Sequence, residues 1–136
     1  PEDGNYVATD AGGNVFLSGI TETAVAANIA LNGFQNNLIN TENFFLVKFD
    51  TDGTRLCATY FGGWNHDYGV GVMAVDGLDN VYLGGQSPSD PILPFNGFDN
   101  FYDGGQDAFL VKFGPCVSSV LSVTATSTNS SSWSHR

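Results

Sequence analysis

The sequence predicts an all-β chain made of two copies of one four-stranded antiparallel unit. Three observations lead there: an internal repeat, short runs of β-branched and aromatic residues, and turn-forming residues between those runs. The decapeptide Asp10–Gly19 returns as Asp76–Gly85, 66 residues later, with Asp, Asn, Val, Leu and Gly held in place. Asn32-Gly-Phe-Gln-Asn36 returns as Asn96-Gly-Phe-Asp-Asn100, and Phe45-Leu-Val-Lys-Phe49 as Phe109-Leu-Val-Lys-Phe113, both at a spacing of 64. The spacing drops because the second copy is two residues shorter in the loop between blocks. Three blocks repeated in one order define a unit.

Taken in order, the first strand of each unit is Tyr6–Asp10 or Val70–Asp76, a short run ending at an Asp. The second is Asn14–Gly19 or Asn80–Gly85, where branched or aromatic residues alternate with small ones. The third is Phe44–Phe49 or Ala108–Phe113. The fourth is Arg55–Phe61 in the first unit; the second has no matching Thr-Tyr-Phe-Gly-Gly run, and Val120–Thr126 is the candidate substitute. Turns fall at Gly12-Gly13-Asn14, Asp50-Thr-Asp-Gly53 and Leu78-Asp79-Asn80. No segment sustains a capped 3.6-residue period; Ala24–Leu31 allows one helical turn at most. Small sheets apolar on both sides need another sheet against each side, and radial stacking provides it. The expected architecture is therefore two β-propeller blades, residues 1–69 and 70–115, followed by a strand or linker over 116–136. A closed propeller takes at least about four blades. Further blades outside the chain, association of copies, or an open stack would complete it, the first being the expectation.

Composition narrows the function. Four Lys and Arg against 14 Asp and Glu give a net charge of −10, so no phosphate-tracking surface exists and nucleic acid is excluded as a partner. The same charge argues against docking on an anionic membrane, and no apolar run approaches the ~20 residues of a spanning helix. The polar opening Pro1–Asn5 does not read as a signal peptide. Cys57 and Cys116 have no metal-site spacing; they are read first as two small buried or half-buried thiols, with one disulfide as the alternative. A surface of Asn, Ser, Thr, Gly and Asp leans toward an extracellular setting.

The run Asp-x-x-Gly/Asp-Asn-Val-Tyr/Phe-Leu-x-Gly, then the Phe-Leu-Val-Lys-Phe strand, then Thr59-Tyr-Phe-Gly-Gly63, resembles the SBBP β-propeller repeat over most of residues 5–115. That family is common in secreted and cell-surface proteins of Bacteroidota. The resemblance implies export and a role in adhesion or scaffolding, and it carries no catalytic residues across. The tail from Gly114 to Asn129 resembles, over a short stretch, the opening strand of gliding-adhesin repeats from the same bacteria; Ser130–Arg136 departs from that pattern.

Strand parity places the long segments Thr21–Asn43 and Ser87–Gln106 at one end with Gly62–Tyr68, opposite the tight turns. Long loops are often functional, so this end is the place to look for a ligand. Trp64, Asn65, His66, Asp67 and Tyr68 form the richest candidate, able to stack on a sugar ring and bond its hydroxyls; the competing reading is filler at a blade joint. Asp99, Asp103 and Asp107 are the candidate calcium ligands in the second long loop, against a solvated acidic loop. Asp50-Thr-Asp-Gly53 opens like a calcium loop, but Phe61 stands where the bidentate Glu belongs, so a hairpin turn is expected. His66 and His135 have no zinc-type companions. No nucleophile motif or phosphate-binding loop is present, and the three Glu (Glu2, Glu22, Glu42) do not repeat. The expectation is a non-catalytic propeller module of an extracellular bacterial surface, adhesin or filament protein. Its partners would be neighbouring blades, protomers or other surface proteins, with calcium as the one cofactor considered. A lectin-like propeller is the alternative, and a polysaccharide-active enzyme using a pair such as Asp67 and Asp103 the third reading.

Overall fold

A computed structural model of the chain describes residues 2–22, 29–39, 42–63, 68–87, 107–116 and 120–127; for 68–71, 87 and 120–127 the description is of the backbone. Eight strands follow one another: β1 (Glu2–Thr9), β2 (Val15–Thr21), β3 (Asn43–Phe49), β4 (Arg55–Phe61), β5 (Tyr68–Val75), β6 (Val81–Ser87), β7 (Asp107–Phe113) and β8 (Val120–Ser127). They form two four-stranded antiparallel sheets with the spatial orders β1-β2-β3-β4 and β5-β6-β7-β8. No helix occurs among the described residues. Each sheet is a simple meander, as expected when every strand is antiparallel to the next and the tight turns need few residues.

The second sheet takes its fourth strand from the tail. Val111 pairs with Val123 and Asp107 with Ser127, so residues 120–127 belong to the sheet and are no linker. The strand β1 begins at Glu2, four residues earlier than the Tyr6 start expected from the apolar pattern, because Glu2–Gly4 pair with Gly19–Thr21 across a bulge before Tyr6. Polar strand residues without alternation escape a pattern search when only main-chain pairing holds them. A Cβ on Gly19 would strike the Asp3 carbonyl oxygen, so the repeated glycine is what allows β1 this close.

Alternation along β3 splits the first sheet into two faces. Phe44, Leu46 and Lys48 point to a front face; Phe45, Val47 and Phe49 point to a back face. One repeat later, Ala108, Leu110 and Lys112 lie on the front of the second sheet, and Phe109, Val111 and Phe113 on its back. The main core joins the front of the first sheet (Phe16, Phe44, Leu46, Phe61) to the back of the second (Leu83, Phe109, Val111, Phe113). The sheets thus stack face to back, in the manner of successive copies related by translation or rotation about one axis, and not by a two-fold. Between the sheets β5 runs close to β1 and β2. Toward β3 and β4 the space is filled by rings: Phe109 lies 5.2 Å from Phe44 and 5.8 Å from Phe61, and Phe61 meets Phe113 edge-on at 5.7 Å. Such pairs add to the burial of large apolar area.

Cys57 and Cys116 are joined in a disulfide, which overturns the expectation of two thiols. Cys57 is a front-face residue of β4, opposite Lys48, and Cys116 follows the end of β7, so the bond crosses from one sheet to the other. Face-to-back stacking brings the two residues together; a spacing of 59 in sequence gave no hint of it.

Candidate functional site

At one end of the stack, three hairpin turns share one construction. In the first, the Asp10 carboxylate accepts the backbone N–H of Gly12 and of Asn14, both at 2.9 Å, and the Asn14 side-chain amide at 2.8 Å. Asp76 repeats this with Leu78, Asn80 and the Asn80 side chain, and Asp50 with Asp52 and Thr54. Gly13, Gly53 and Asp79 occupy the left-handed region that closes such three-residue loops (φ 83°, 83° and 62°). The Asp-x-x-x-Asn spacing is therefore a self-capping turn, and Asp50 serves its own backbone as expected. These hydrogen bonds favour the charged carboxylate: the Asn14 side chain leads in lowering the pKa of Asp10, and the Asn80 side chain leads in lowering that of Asp76 to about 2.

The sheets differ at the neighbouring repeat position. In the first, Lys48 is buried and lies 3.2 Å from the Asp10 carboxylate, above the Phe16 ring at 4.9 Å. Its ammonium also reaches the Pro115 carbonyl of the other sheet at 3.5 Å, next to the disulfide. In the second, Tyr82 replaces Phe16 and its hydroxyl donates to Asp76 at 3.1 Å, while Lys112 stands over the Tyr82 ring at 5.5 Å. In the sequence Lys48 stands out only as one of the chain's four Lys and Arg residues. Its burial was signalled by the apolar residues on both sides, Phe44–Val47 and Phe49.

At the other end, segment 29–39 runs along the outer edge of β4. Leu31 and Ala58 exchange two backbone hydrogen bonds, and the Tyr60 N–H donates to the Gln35 carbonyl at 2.9 Å. Leu31 is therefore extended and is no part of a helical turn; residues 24–28 of that expectation lie outside the described residues. The repeated Asn-Gly-Phe block explains the close approach. Asn32 takes a positive φ of 50°, a Cβ on Gly33 would lie 2.7 Å from Thr59 Cα, and the Asn36 side chain bonds both the N–H and the carbonyl of Gly33. Asn43, buried at the start of β3, accepts from the Ile39 N–H and the Gln35 side chain and donates to the Glu42 carbonyl.

Trp64, Asn65, His66 and Asp67 lie outside the described residues, and Tyr68 is the first residue of β5. Asp99 and Asp103 also lie outside them. Asp107 does not belong to the acidic loop expected from sequence: it opens β7, 3% exposed, at the repeat position of Asn43. At the same repeat position Asn43 reaches back to Gln35 and Ile39 in the segment that precedes its strand. Among the described residues no three His, Cys, Asp or Glu side chains come together. What these residues build is a pair of stacked sheets, closed by tight turns at one end. No protein-family model and no curated protein matches the sequence.

Proposed function

We propose that the chain is a non-catalytic β-propeller-type module of an extracellular bacterial surface, adhesin or filament protein, acting in adhesion or assembly, with the two sheets as consecutive blades. The observation that carries this reading is the face-to-back stacking of two copies of one repeat, with β5 close to β1 and β2 and large phenylalanines filling the space toward β3 and β4. That is how blades pack around a common axis. The resemblance of the repeated blocks to SBBP repeats supports the same view. The disulfide supports an oxidising, extracellular setting. A surface this acidic limits self-association by repulsion while the long-loop end faces its partner.

The test presents the chain to a glycan array, to a panel of polysaccharides for hydrolysis, and to surfaces coated with purified bacterial surface proteins. Saturable binding to a coated protein, with no glycan binding and no hydrolysis, is the expected result. Glycan binding abolished by Trp64→Ala would replace the scaffold with a lectin. Hydrolysis lost in Asp67→Asn would replace it with an enzyme.

A further inference from the structure

The stacking has a front half and a back half, and both recur on the outside of the pair. On the second sheet the outward front face carries Tyr82, Gly84, Leu110 and Lys112, the repeat positions of Phe16, Ser18, Leu46 and Lys48. On the first sheet the outward back face carries Phe45, Val47 and Phe49, the repeat positions of the three residues with which the second sheet receives the first. Those three residues are covered. Ile29, Ala30, Leu31 and Leu38 pack on them together with Tyr60. The Ile29 N–H donates to the Tyr60 hydroxyl at 3.1 Å, and the Arg55 guanidinium donates to the Ile29 carbonyl at 2.9 Å.

We propose that segment 29–39 is a strap seated in a docking surface for a second copy of this chain. With the strap lifted, the front of the second sheet in one copy stacks on the back of the first sheet in the next. The contact continues the internal interface by the same repeat positions. Leu110 and Val72, adjacent across Gly84, are 48% and 60% exposed on the face that docks. Thr51 stands one repeat before Pro115, so it places a backbone carbonyl for Lys112 where Pro115 places one for Lys48. A face-to-back contact of this kind leaves a free half on each copy and adds further copies, into a ring if the rotation closes and into a filament if it does not, unless something occupies one half. The strap is that occupant. Ala108 and Gln86 replace Phe44 and Ile20 on the docking face, so the contact between copies is weaker than the one within the chain. The inference concerns stacking and is independent of what the long-loop end binds.

Two variants release the strap by different means. Gly33→Leu drives a side chain into the Ala58 carbonyl and Thr59, whereas Leu31→Ser with Leu38→Ser removes apolar anchors without a clash. Mass is followed by sedimentation from micromolar to near-millimolar protein, with far-UV circular dichroism reporting the β fold. Wild type is expected to hold at 14.4 kDa, and both variants to rise at least about twofold with concentration. Adding Leu110→Glu is expected to return them to monomer. Folded variants that stay monomeric, association that survives Leu110→Glu, or wild type associating as readily would each overturn the proposal. So would loss of the β signal in both variants, since a strap over a docking surface leaves two standing sheets when lifted.

Discussion

Removing the inter-sheet disulfide tests the stacking most directly. The bond joins residues 59 apart, and closing a loop of that size restricts the unfolded chain enough to stabilise the fold by about 4 kcal/mol. A domain of 136 residues unfolds with an entropy of about 0.3 kcal/mol/K, so this corresponds to a fall of about 14 °C in Tm. Against a total stability of about 5–15 kcal/mol the loss is large but survivable. The Cys57→Ala, Cys116→Ser double variant is compared with wild type in urea and thermal melts, both without reductant. Cys57 is fully buried beside the main core, so Ala in its place also keeps the apolar packing between the sheets. The expected result is a single transition displaced by that amount, together with alkylation of two thiols in wild type only after reduction. A shift under about 3 °C, or thiols that react in the folded wild type, would refute the reasoning, because the unfolded chain would then carry no such constraint.

Phe109→Ala empties the space between Phe44 and Phe61 and is expected to cost about 3–5 kcal/mol, read as a drop in urea midpoint; a loss below ~1 kcal/mol would mean that the rings do not bridge the sheets. Acid titration of stability is expected to show a fall between about pH 4 and pH 2. Asp76 ionises near 2 when folded and near 3.9 when unfolded, so its contribution is present above the unfolded value and lost as pH drops through the folded one. Asp10 acts in the same direction. Asp76→Asn should flatten that slope; an unchanged slope would remove the self-capping turn as its source.

Much of the architecture was legible because it rests on local rules. Alternation at Phe44–Phe49 and the Asp-to-Asn turn spacing specify strands and hairpins through main-chain geometry, and repetition doubled each signal. The tail strand β8 was legible from its Val and Thr content. Other features were hidden for physical reasons. The part of β1 before Tyr6 is held by backbone hydrogen bonds, which leave little trace in side-chain type, and the strap along β4 packs apolar residues that have no strand or helix period of their own. Asp107 looked like one more acid in a polar loop, and only its equivalence to Asn43 places it in a strand. The candidate residues at 64–67, 99 and 103 gained no geometry from the described structure.

By itself the sequence determined that this chain is two copies of one antiparallel β unit, with tight turns at repeated Asp and Gly positions. Those properties are decided within a strand or a hairpin. Which face meets which was decided only in three dimensions. Both faces of β3 are apolar, so periodicity cannot choose between a two-fold sandwich and a face-to-back stack. The choice falls to how the rings of Phe44, Phe61, Phe109 and Phe113 interdigitate, and from that choice follow the disulfide, the buried Lys48–Asp10 pair and the back face closed by the strap.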